Sequence, residues 1–200
     1  MTRTARRLPH IYLLGRPLFV TFRLHDTLPP PRAFPSPAMT SGKAFVAMDR
    51  ILDQARCGPS FLRRAPVAQQ VLDSIQYGAD RGDYKLHAWV IMPNHVHLLL
   101  TPETNISKLL GSLKAGSAKK ANVLLGRAER TFWQDESYDH LVRTDEEFRR
   151  IQQYIEHNPV TAGLVLKPED YAWSSAGRPA RPPQARACPT NTPQSDADTR

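Results

Sequence analysis

The chain of 200 residues carries a formal net charge of +8 at neutral pH, and its sequence pI is about 9.8. This length suits one domain with a buried core, and the positive charge favours an anionic partner such as nucleic acid over a basic surface kept only for solubility. Cys57 and Cys188 form no CxxC pair, which argues against a disulfide framework or zinc ribbon and favours a reducing, cytoplasmic compartment. The apolar stretch after the basic N-terminus is too short for a secretory leader or a membrane span, so a soluble protein is expected.

The first half of the chain predicts one strand and two helices. Residues 16–25 alternate aromatic and β-branched positions with polar ones, a pattern typical of a strand. The proline-rich segment DTLPPPRAFPSP that follows is expected to be a connection. Apolar residues at helical spacing then predict a helix from Ser41 to the CGPS stretch, and a second helix over residues 66–78.

The second half predicts a hairpin, a helix, a strand and a final helix. YKLHAWVIM and HVHLLLTP are strand-like and are separated by Pro93 and Asn94, which favours a tight hairpin. An amphipathic helix is expected within TNISKLLGSLKAGSAKKANVLLG, and a short strand at YDHLVRT. Thr144 with Glu147 has the spacing of a capping box, and Pro159 is expected to end that helix. The order of elements predicts an α+β fold, a mostly antiparallel sheet with helices packed on it.

Two histidines interrupt the apolar run WVIMPNHVHLLL. Residues i and i+2 of a strand point to the same face, so His95 and His97 present two imidazoles side by side. Two neutral imidazoles at that separation can share a divalent ion. A half-buried, hydrogen-bonded pair without a metal is an equally compatible interpretation of this short pattern.

The stretch YIEHNP places a tyrosine and an amide on one face of the last predicted helix. Tyr154 and Asn158 stand four residues apart, about 6 Å along a helix axis. If that face packs over the hairpin, Asn158 supplies a third, oxygen ligand to the ion, with the phenol of Tyr154 beside it. A core tyrosine and a helix-ending asparagine are the alternative. His157 is a weaker ligand candidate because it points about 100° away around the helix.

The strings MPNHVHLLL, FWQDESYDHLVR and YIEHNPVTAGLV, in this order, resemble the HUH single-tyrosine transposases, and most closely their REP-associated tyrosine transposase branch. The resemblance runs from about residue 16 to residue 175. It implies the RRM-like, ferredoxin-like antiparallel sheet of HUH endonucleases. It also implies that His95 and His97 bind Mg²⁺ or Mn²⁺, that Tyr154 is the nucleophile and that the residue at Asn158 completes the metal site. Asparagine there, where insertion-sequence relatives often have glutamine, matches the REP-associated branch.

The function that this resemblance implies is metal-dependent cleavage and rejoining of single-stranded DNA at or near hairpins of repeated palindromic elements, through a covalent 5′-phosphotyrosine. A metal suits this chemistry because a phenol is protonated up to about pH 10 and its phenolate is repelled by phosphate. By ligand type alone, two imidazoles and an amide also suit zinc or nickel, and no carboxylate completes an obvious hydrolase triad. The expected partner is single-stranded or hairpin DNA in the bacterial cytoplasm, near the nucleoid, with no membrane and no small-molecule substrate. The protein is expected to be either a homodimer or a monomer.

Basic residues on and after the third helix predict a surface for DNA. We assign to it Lys108, Lys114, Lys119, Lys120, Arg127 and Arg130, with a solvated lysine face as the alternative. Tyr138, beside His140, is the second candidate for the nucleophile. Trp133 and Trp173 are expected in the core.

The domain organisation predicted is a basic N-terminal arm over residues 1–15, a catalytic domain over 16–176 and a disordered tail rich in proline and arginine over 177–200. Two rival functions stay open. One is a metal hydrolase that acts through water, and the other is a catalytically silent protein of the same fold that binds hairpin DNA. Tyr154→Phe separates the first rival from the transferase, because only a tyrosine mechanism leaves a protein–DNA adduct.

Overall fold

The computed structural model describes residues 14–28, 41–54 and 58–178, and within the first helix it describes side chains only from residue 47 onward. The predicted tail beyond residue 178, most of the predicted arm, the proline-rich connection after residue 28 and both cysteines lie outside these ranges. None of the helices in the described part of the chain combines the length and hydropathy needed to cross a bilayer.

Within the described residues, four strands and four α-helices form in the order that the sequence predicts. The strands are β1 (Leu18–Arg23), β2 (Tyr84–Ile91), β3 (His95–Pro102) and β4 (Tyr138–Leu141). The helices are α1 (Ser41–Asp53), α2 (Ala65–Asp80), α3 (Ile106–Leu124) and α4 (Asp145–Thr161). β1 is shorter than the predicted strand at both ends, and the other boundaries differ from the predictions by a few residues.

The four strands make one antiparallel sheet in the order β2-β3-β1-β4, which confirms the α+β fold class. β2 and β3 form the predicted hairpin, closed by a hydrogen bond from Met92 N to His95 O of 2.8 Å. The register of β1 against β3 places Thr21 opposite His97 and Arg23 opposite His95. β1 therefore flanks the histidine pair on one side, and β2 flanks it on the other.

The helices pack on both faces of the sheet, because each strand alternates its side chains between two apolar layers. One layer joins α2 and α3 to the sheet through residues such as Val71, Ile75 and Leu98, and it includes the expected core residue Trp133. The other layer joins Met48 of α1 and Phe148 of α4 to the opposite sheet face. His95 and His97, whose positions alternate with the buried Val96 and Leu98, belong to this second face.

The start of α4 is as predicted, and its end is not. The Thr144 side chain accepts a hydrogen bond from Glu147 N at 3.1 Å, which confirms the N-cap. Pro159, however, lies inside the helix, which continues to Thr161. A proline removes only the one hydrogen bond that its own nitrogen would have donated. The turn is retained because Ala162 N donates to Asn158 O and the Pro159 ring is buried.

The segment after α4 returns to the sheet and covers its β2 edge. Ile91 N donates to Trp173 O, and Ser175 N donates to Trp89 O, both at 2.9 Å. Ser174 forms an isolated bridge with Val90. This short pairing satisfies backbone groups that an edge strand would otherwise expose.

Candidate active site

The two histidines meet on the buried face of β3. His95 and His97 are both fully buried, and their Nε2 atoms lie 3.0 Å apart. Their shared orientation follows from the alternation of a strand, as the sequence predicts. The pair is therefore close enough for both imidazoles to bind one ion.

The outer nitrogens of both rings are held by neighbouring side chains. His95 Nδ1 lies 2.7 Å from Asn94 Oδ1, and the amide of Asn94 donates in turn to Leu52 O at 2.9 Å. Because that amide oxygen only accepts, His95 Nδ1 carries the proton and its Nε2 offers a lone pair. His97 Nδ1 lies 2.7 Å from the hydroxyl of Thr21.

A carboxylate that the sequence reading missed completes this cluster. Asp49 of α1 is 2 % exposed, and its Oδ1 lies 3.2 Å from His97 Nε2 and 3.7 Å from His95 Nε2. The expectation that no carboxylate joins the histidines is therefore wrong. The sequence did contain a signal for it. Asp49 is next to Met48 and close to Ile51 and Leu52 on the apolar side of a predicted helix, where an unpaired charge is costly.

The three donors fit a divalent ion. Ligands bound at about 2.1 Å from one metal lie roughly 3.0–3.5 Å from one another. Two separations within this cluster, 3.0 and 3.2 Å, fall in that range, and the third, from Asp49 Oδ1 to His95 Nε2, is slightly longer at 3.7 Å. Asp49 Oδ1 is buried and accepts no hydrogen bond of good geometry, which is costly unless a cation satisfies it. The cluster of Asp49, His95 and His97 can thus hold a metal ion.

The charges of the cluster suit metal binding. Burial lowers the pKa of His95 to about 3, so its imidazole is neutral at physiological pH. Burial acts to raise the pKa of Asp49, but His97, His95 and the amide of Asn158 outweigh that effect and lower it on balance. Neutral imidazoles and an ionised carboxylate are the forms that ligate a cation.

Asp53, one turn after Asp49 on α1, adds a second acid at the edge of the cluster. Its Oδ1 lies 3.8 Å from His95 Nε2 and is buried without a hydrogen-bond partner. Burial and the neighbouring Asp49 raise the pKa of Asp53 to about 7. In the metal-free site this carboxyl is therefore close to half protonated at neutral pH.

α4 places Tyr154 and Asn158 over the same cluster. The Tyr154 hydroxyl donates to Asp49 Oδ2, and the Asn158 amide nitrogen lies 3.4 Å from the same oxygen. The Tyr154 ring contacts His97 with centroids 5.7 Å apart. Asn158 Oδ1 is buried and unsatisfied. The helical face that the sequence reading identified is thus the face that covers the histidines.

The competing candidates have different surroundings. Tyr138 is half-buried on β4, and His157 is exposed and bonded to Gln153 O of its own helix. The hydroxyl of Tyr154 donates directly to Asp49, whereas Tyr138 lies next to the cluster, beside Thr21 and Met48. His140, its neighbour, pairs with Glu147 at 2.8 Å.

The predicted basic surface lies on α3 and on the residues that follow it, and α3 packs in the layer opposite the histidine face. Lys108, Lys119, Lys120 and Arg130 are exposed there. Lys114 differs, because its ammonium donates to Gln134 O at 2.5 Å and to Asp135 O at 2.9 Å. Arg127 lies over the ring of Phe61 at 4.4 Å. These positions leave DNA contact as a prediction, and Lys114 also holds residues 134–135 in place.

Comparison with known proteins identifies relatives of this arrangement. Residues 60–158 match the family model described as IS200-like transposase. The REP-associated tyrosine transposase of Escherichia coli K12 is 26% identical over 98 residues, which are 48% of this chain and 56% of that protein. The match thus spans about half the length of the curated relative.

A solved structure has a similar fold. The REP-associated tyrosine transposase bound to a REP hairpin superposes with a TM-score of 0.51 and 22% sequence identity, covering 88% of each chain. At this identity the similarity establishes the fold, which is the α+β architecture that the sequence predicts.

Proposed function

We propose that the protein, whose residues 60–158 match the family model of IS200-like transposases, cuts and rejoins single-stranded DNA at or near hairpins of repeated palindromic elements. The reaction proceeds through a covalent 5′-phosphotyrosine on Tyr154. The observation that carries this proposal is the position of Asp49. One of its carboxylate oxygens accepts from the Tyr154 phenol, and the other faces the imidazoles of His95 and His97.

His95, His97 and Asp49 hold the divalent ion, and Asn158 is a further oxygen donor after its amide turns over. Two imidazoles with a carboxylate suit Mn²⁺, and the oxygen donors also suit Mg²⁺. The bound ion supplies positive charge that neutralises the scissile phosphate and polarises its phosphorus. Asn94 and Thr21 keep both rings turned toward the ion through their bonds to the Nδ1 atoms.

Tyr154 attacks the phosphorus through its phenol oxygen. A free phenol has a pKa of about 10, so attack by Tyr154 needs a proton acceptor, and Asp49 Oδ2 is placed to accept that proton. A bond forms between the phenol oxygen and the 5′ phosphate, and the bond from phosphorus to the 3′ oxygen breaks. The 3′ oxygen leaves as a hydroxyl that takes its proton from water, and Asp49 returns the phenol proton to the water, so that no net proton is lost. A 3′ hydroxyl reverses the step without ATP, because the phosphotyrosine conserves the phosphodiester bond energy.

The proposed partner is a DNA hairpin with a single-stranded flank. The similar fold of a REP-associated transposase solved with a REP hairpin supports this choice. The net charge of +8 supports it independently, because cationic side chains release counterions from DNA. The exposed residues Lys108, Lys119, Lys120 and Arg130, with Arg127, are the proposed contacts to the hairpin phosphates, and Lys114 reaches DNA only by giving up its local bonds.

A gel assay for a covalent adduct tests the function. Purified protein is incubated with Mn²⁺ or Mg²⁺ and labelled single-stranded oligonucleotides from palindromes that flank its own gene. Wild type is expected to form a denaturant-resistant protein–DNA adduct that chelation prevents. Tyr154→Phe is expected to form none, and Tyr77→Phe, which changes an exposed tyrosine of α2, is the matched control that keeps it.

Two results contradict the proposal. Cleavage that persists in Tyr154→Phe without an adduct indicates a hydrolase that acts through water. Tight hairpin binding by folded, metal-loaded wild type with neither cleavage nor adduct indicates a silent DNA-binding protein.

One observation favours that silent protein as a second candidate. His95 and His97 have no exposed surface, because Asp49 of α1 lies beside both Nε2 atoms and Tyr154 and Asn158 of α4 lie over the same cluster. A phosphate reaches these rings only when α1 or α4 moves. If both helices stay in place with DNA bound, the protein recognises hairpins without cutting them.

A further inference from the structure

A narrow cleft opens beside the candidate active site, between β1 and α1. It is lined by Thr21 and Arg23 of β1, Met48 and Leu52 of α1, and residues 136–138 next to β4. Its volume is about 240 Å³. Pockets for drug-sized ligands begin at roughly 300 Å³, so the cleft accommodates about one nucleotide of a single strand and excludes a duplex.

The inner wall of this cleft is shared with the metal-binding cluster. Thr21, which lines the cleft, is also the hydrogen-bond partner of His97 Nδ1. Met48 and Leu52 come from the turns of α1 that carry Asp49. Arg23 lies opposite His95 in the register of β1 with β3. A group in the cleft is therefore next to any phosphate bound at the histidines.

Arg23 brings a charge into this cleft without a close carboxylate. Its side chain is half-buried, and its one hydrogen bond among the described residues is a long one, from Nη1 to Thr27 Oγ1 at 3.4 Å. No acidic group of the described residues lies within ion-pairing distance of it; Glu136 and Asp26 act only from further away. A buried guanidinium normally satisfies its five N–H donors, so most of these donors lack a protein partner in the described part of the chain.

The guanidinium keeps its charge in this environment. Burial lowers the pKa of Arg23 from its ordinary value, and Glu136 and Asp26 partly oppose that effect. Arginine is nevertheless protonated throughout the physiological range. A planar cation whose parallel donors lack protein partners among the described residues matches the two unbridged oxygens of a phosphodiester.

We propose that this cleft is a phosphate-binding subsite for single-stranded DNA, in which Arg23 donates to the phosphate adjacent to the scissile one. The proposal rests on the proposed function, because it takes the ligand to be a single DNA strand. When the helices that cover the histidines move aside, a strand held at Arg23 has its next phosphate at the face of His95 and His97. Glu136, at the exposed rim, repels the same strand and limits its affinity.

Binding measurements with a single neutral linkage test the subsite. The background is Tyr154→Phe, which removes cleavage, and the ligand is a fluorescent hairpin with a single-stranded flank. One flank phosphate at a time is replaced by methylphosphonate. With Arg23 present, replacing the one phosphate that lies next to the cleavage site is expected to weaken binding by roughly tenfold. In Arg23→Gln the same replacement is expected to have no effect, and the salt dependence falls by roughly one phosphate contact.

Matched variants separate this role from a general loss of charge. Arg81→Gln removes an exposed cation at the end of α2 and is expected to retain the effect of the neutral linkage. Glu136→Gln is expected to strengthen binding. Arg23→Lys keeps the charge without the planar fork, so the salt dependence is retained while affinity falls. It also serves as the test if Arg23→Gln lowers the melting temperature.

The proposal is overturned if each neutral linkage weakens binding by the same factor in Arg23→Gln as in the parent. So does an unchanged salt dependence in Arg23→Gln. The adduct assay with wild type distinguishes the two proposals. Adduct formation without any Arg23 effect refutes only this subsite, whereas position-specific binding through Arg23 without an adduct supports the subsite and refutes the catalytic function.

Discussion

Asp53 and His95 have opposite effects on the acid stability of the metal-free protein. In the folded state burial and Asp49 raise the pKa of Asp53 to about 7, and burial lowers that of His95 to about 3. Their ordinary values are 3.8 and 6.5. Between pH 6.5 and 3.8 the folded state therefore holds a proton on Asp53 and none on His95, while the unfolded state does the reverse. The two states bind equal numbers of protons, and this pair contributes no slope to stability.

Asp53→Asn removes one side of that balance. The unfolded state of the variant still binds a proton on His95 as the pH falls below 6.5, and its folded state does not. The free energy of unfolding then decreases by about 1.4 kcal/mol for each unit that the pH falls. Over the window down to pH 3.8 the extra loss relative to wild type amounts to roughly 2–4 kcal/mol. His95→Gln is the mirror variant, because its folded state retains the proton on Asp53. Its stability rises, relative to wild type, as the pH falls through the same window.

Urea unfolding in the presence of EDTA measures these slopes, with tryptophan fluorescence as the signal from Trp89, Trp133 and Trp173. Differences from wild type at each pH isolate the pair, because other titrating groups are common to all three proteins. The pKa of Asp49 is lowered in the folded state, so its contribution to the free energy of unfolding is lost only below pH 3.8, outside the pH range of this experiment. A difference between Asp53→Asn and wild type that does not change with pH refutes the reasoning.

Two further predictions concern the metal and the helix cap. Mn²⁺ at about a hundred times its dissociation constant adds about 2.7 kcal/mol to the stability of wild type, which raises the melting temperature by roughly 5–11 °C. In a thermal melt, Asp49→Asn is expected to lose most of that shift and Glu103→Gln to retain it. Equal shifts in all three proteins contradict the metal site. Thr144→Ala removes the acceptor for Glu147 N and is expected to lower the free energy of unfolding by about 1 kcal/mol, whereas Thr144→Ser keeps the acceptor. If the urea midpoint of Thr144→Ala equals that of wild type at unchanged slope, the cap contributes nothing.

The elements were predictable because local patterns determine them. Alternation over HVHLLLTP specifies a strand and puts both histidines on one face, and the spacing of Tyr154 and Asn158 puts both on one helical face. Thr144 and its hydrogen bond follow from chemistry within three residues. In each case the interacting groups are close in sequence, so no knowledge of the tertiary packing is needed.

What the sequence reading missed depends on tertiary packing. Asp49 lies in a helix that precedes the hairpin by many residues, and only the packing of α1 on the sheet brings it to His97. Lys114 looked like a free cation because its acceptors, Gln134 O and Asp135 O, are backbone atoms that carry no sequence signal. Pro159 was read as a helix end because the rule for proline ignores how well the last turn is otherwise held.

The edge pairing by residues 173–175 shows that the family match and the folding unit have different limits. The match covers residues 60–158, but β1, which lies between β3 and β4, comes earlier in the chain, and the segment that covers β2 comes later. A fragment cut to the matched residues has no partner for β4, an open side on β3 and an uncovered apolar edge at β2. Unpaired strand edges of this kind add strands from other copies. Such a fragment is expected to aggregate, so the smallest soluble piece begins before Leu18 and extends past Ser175.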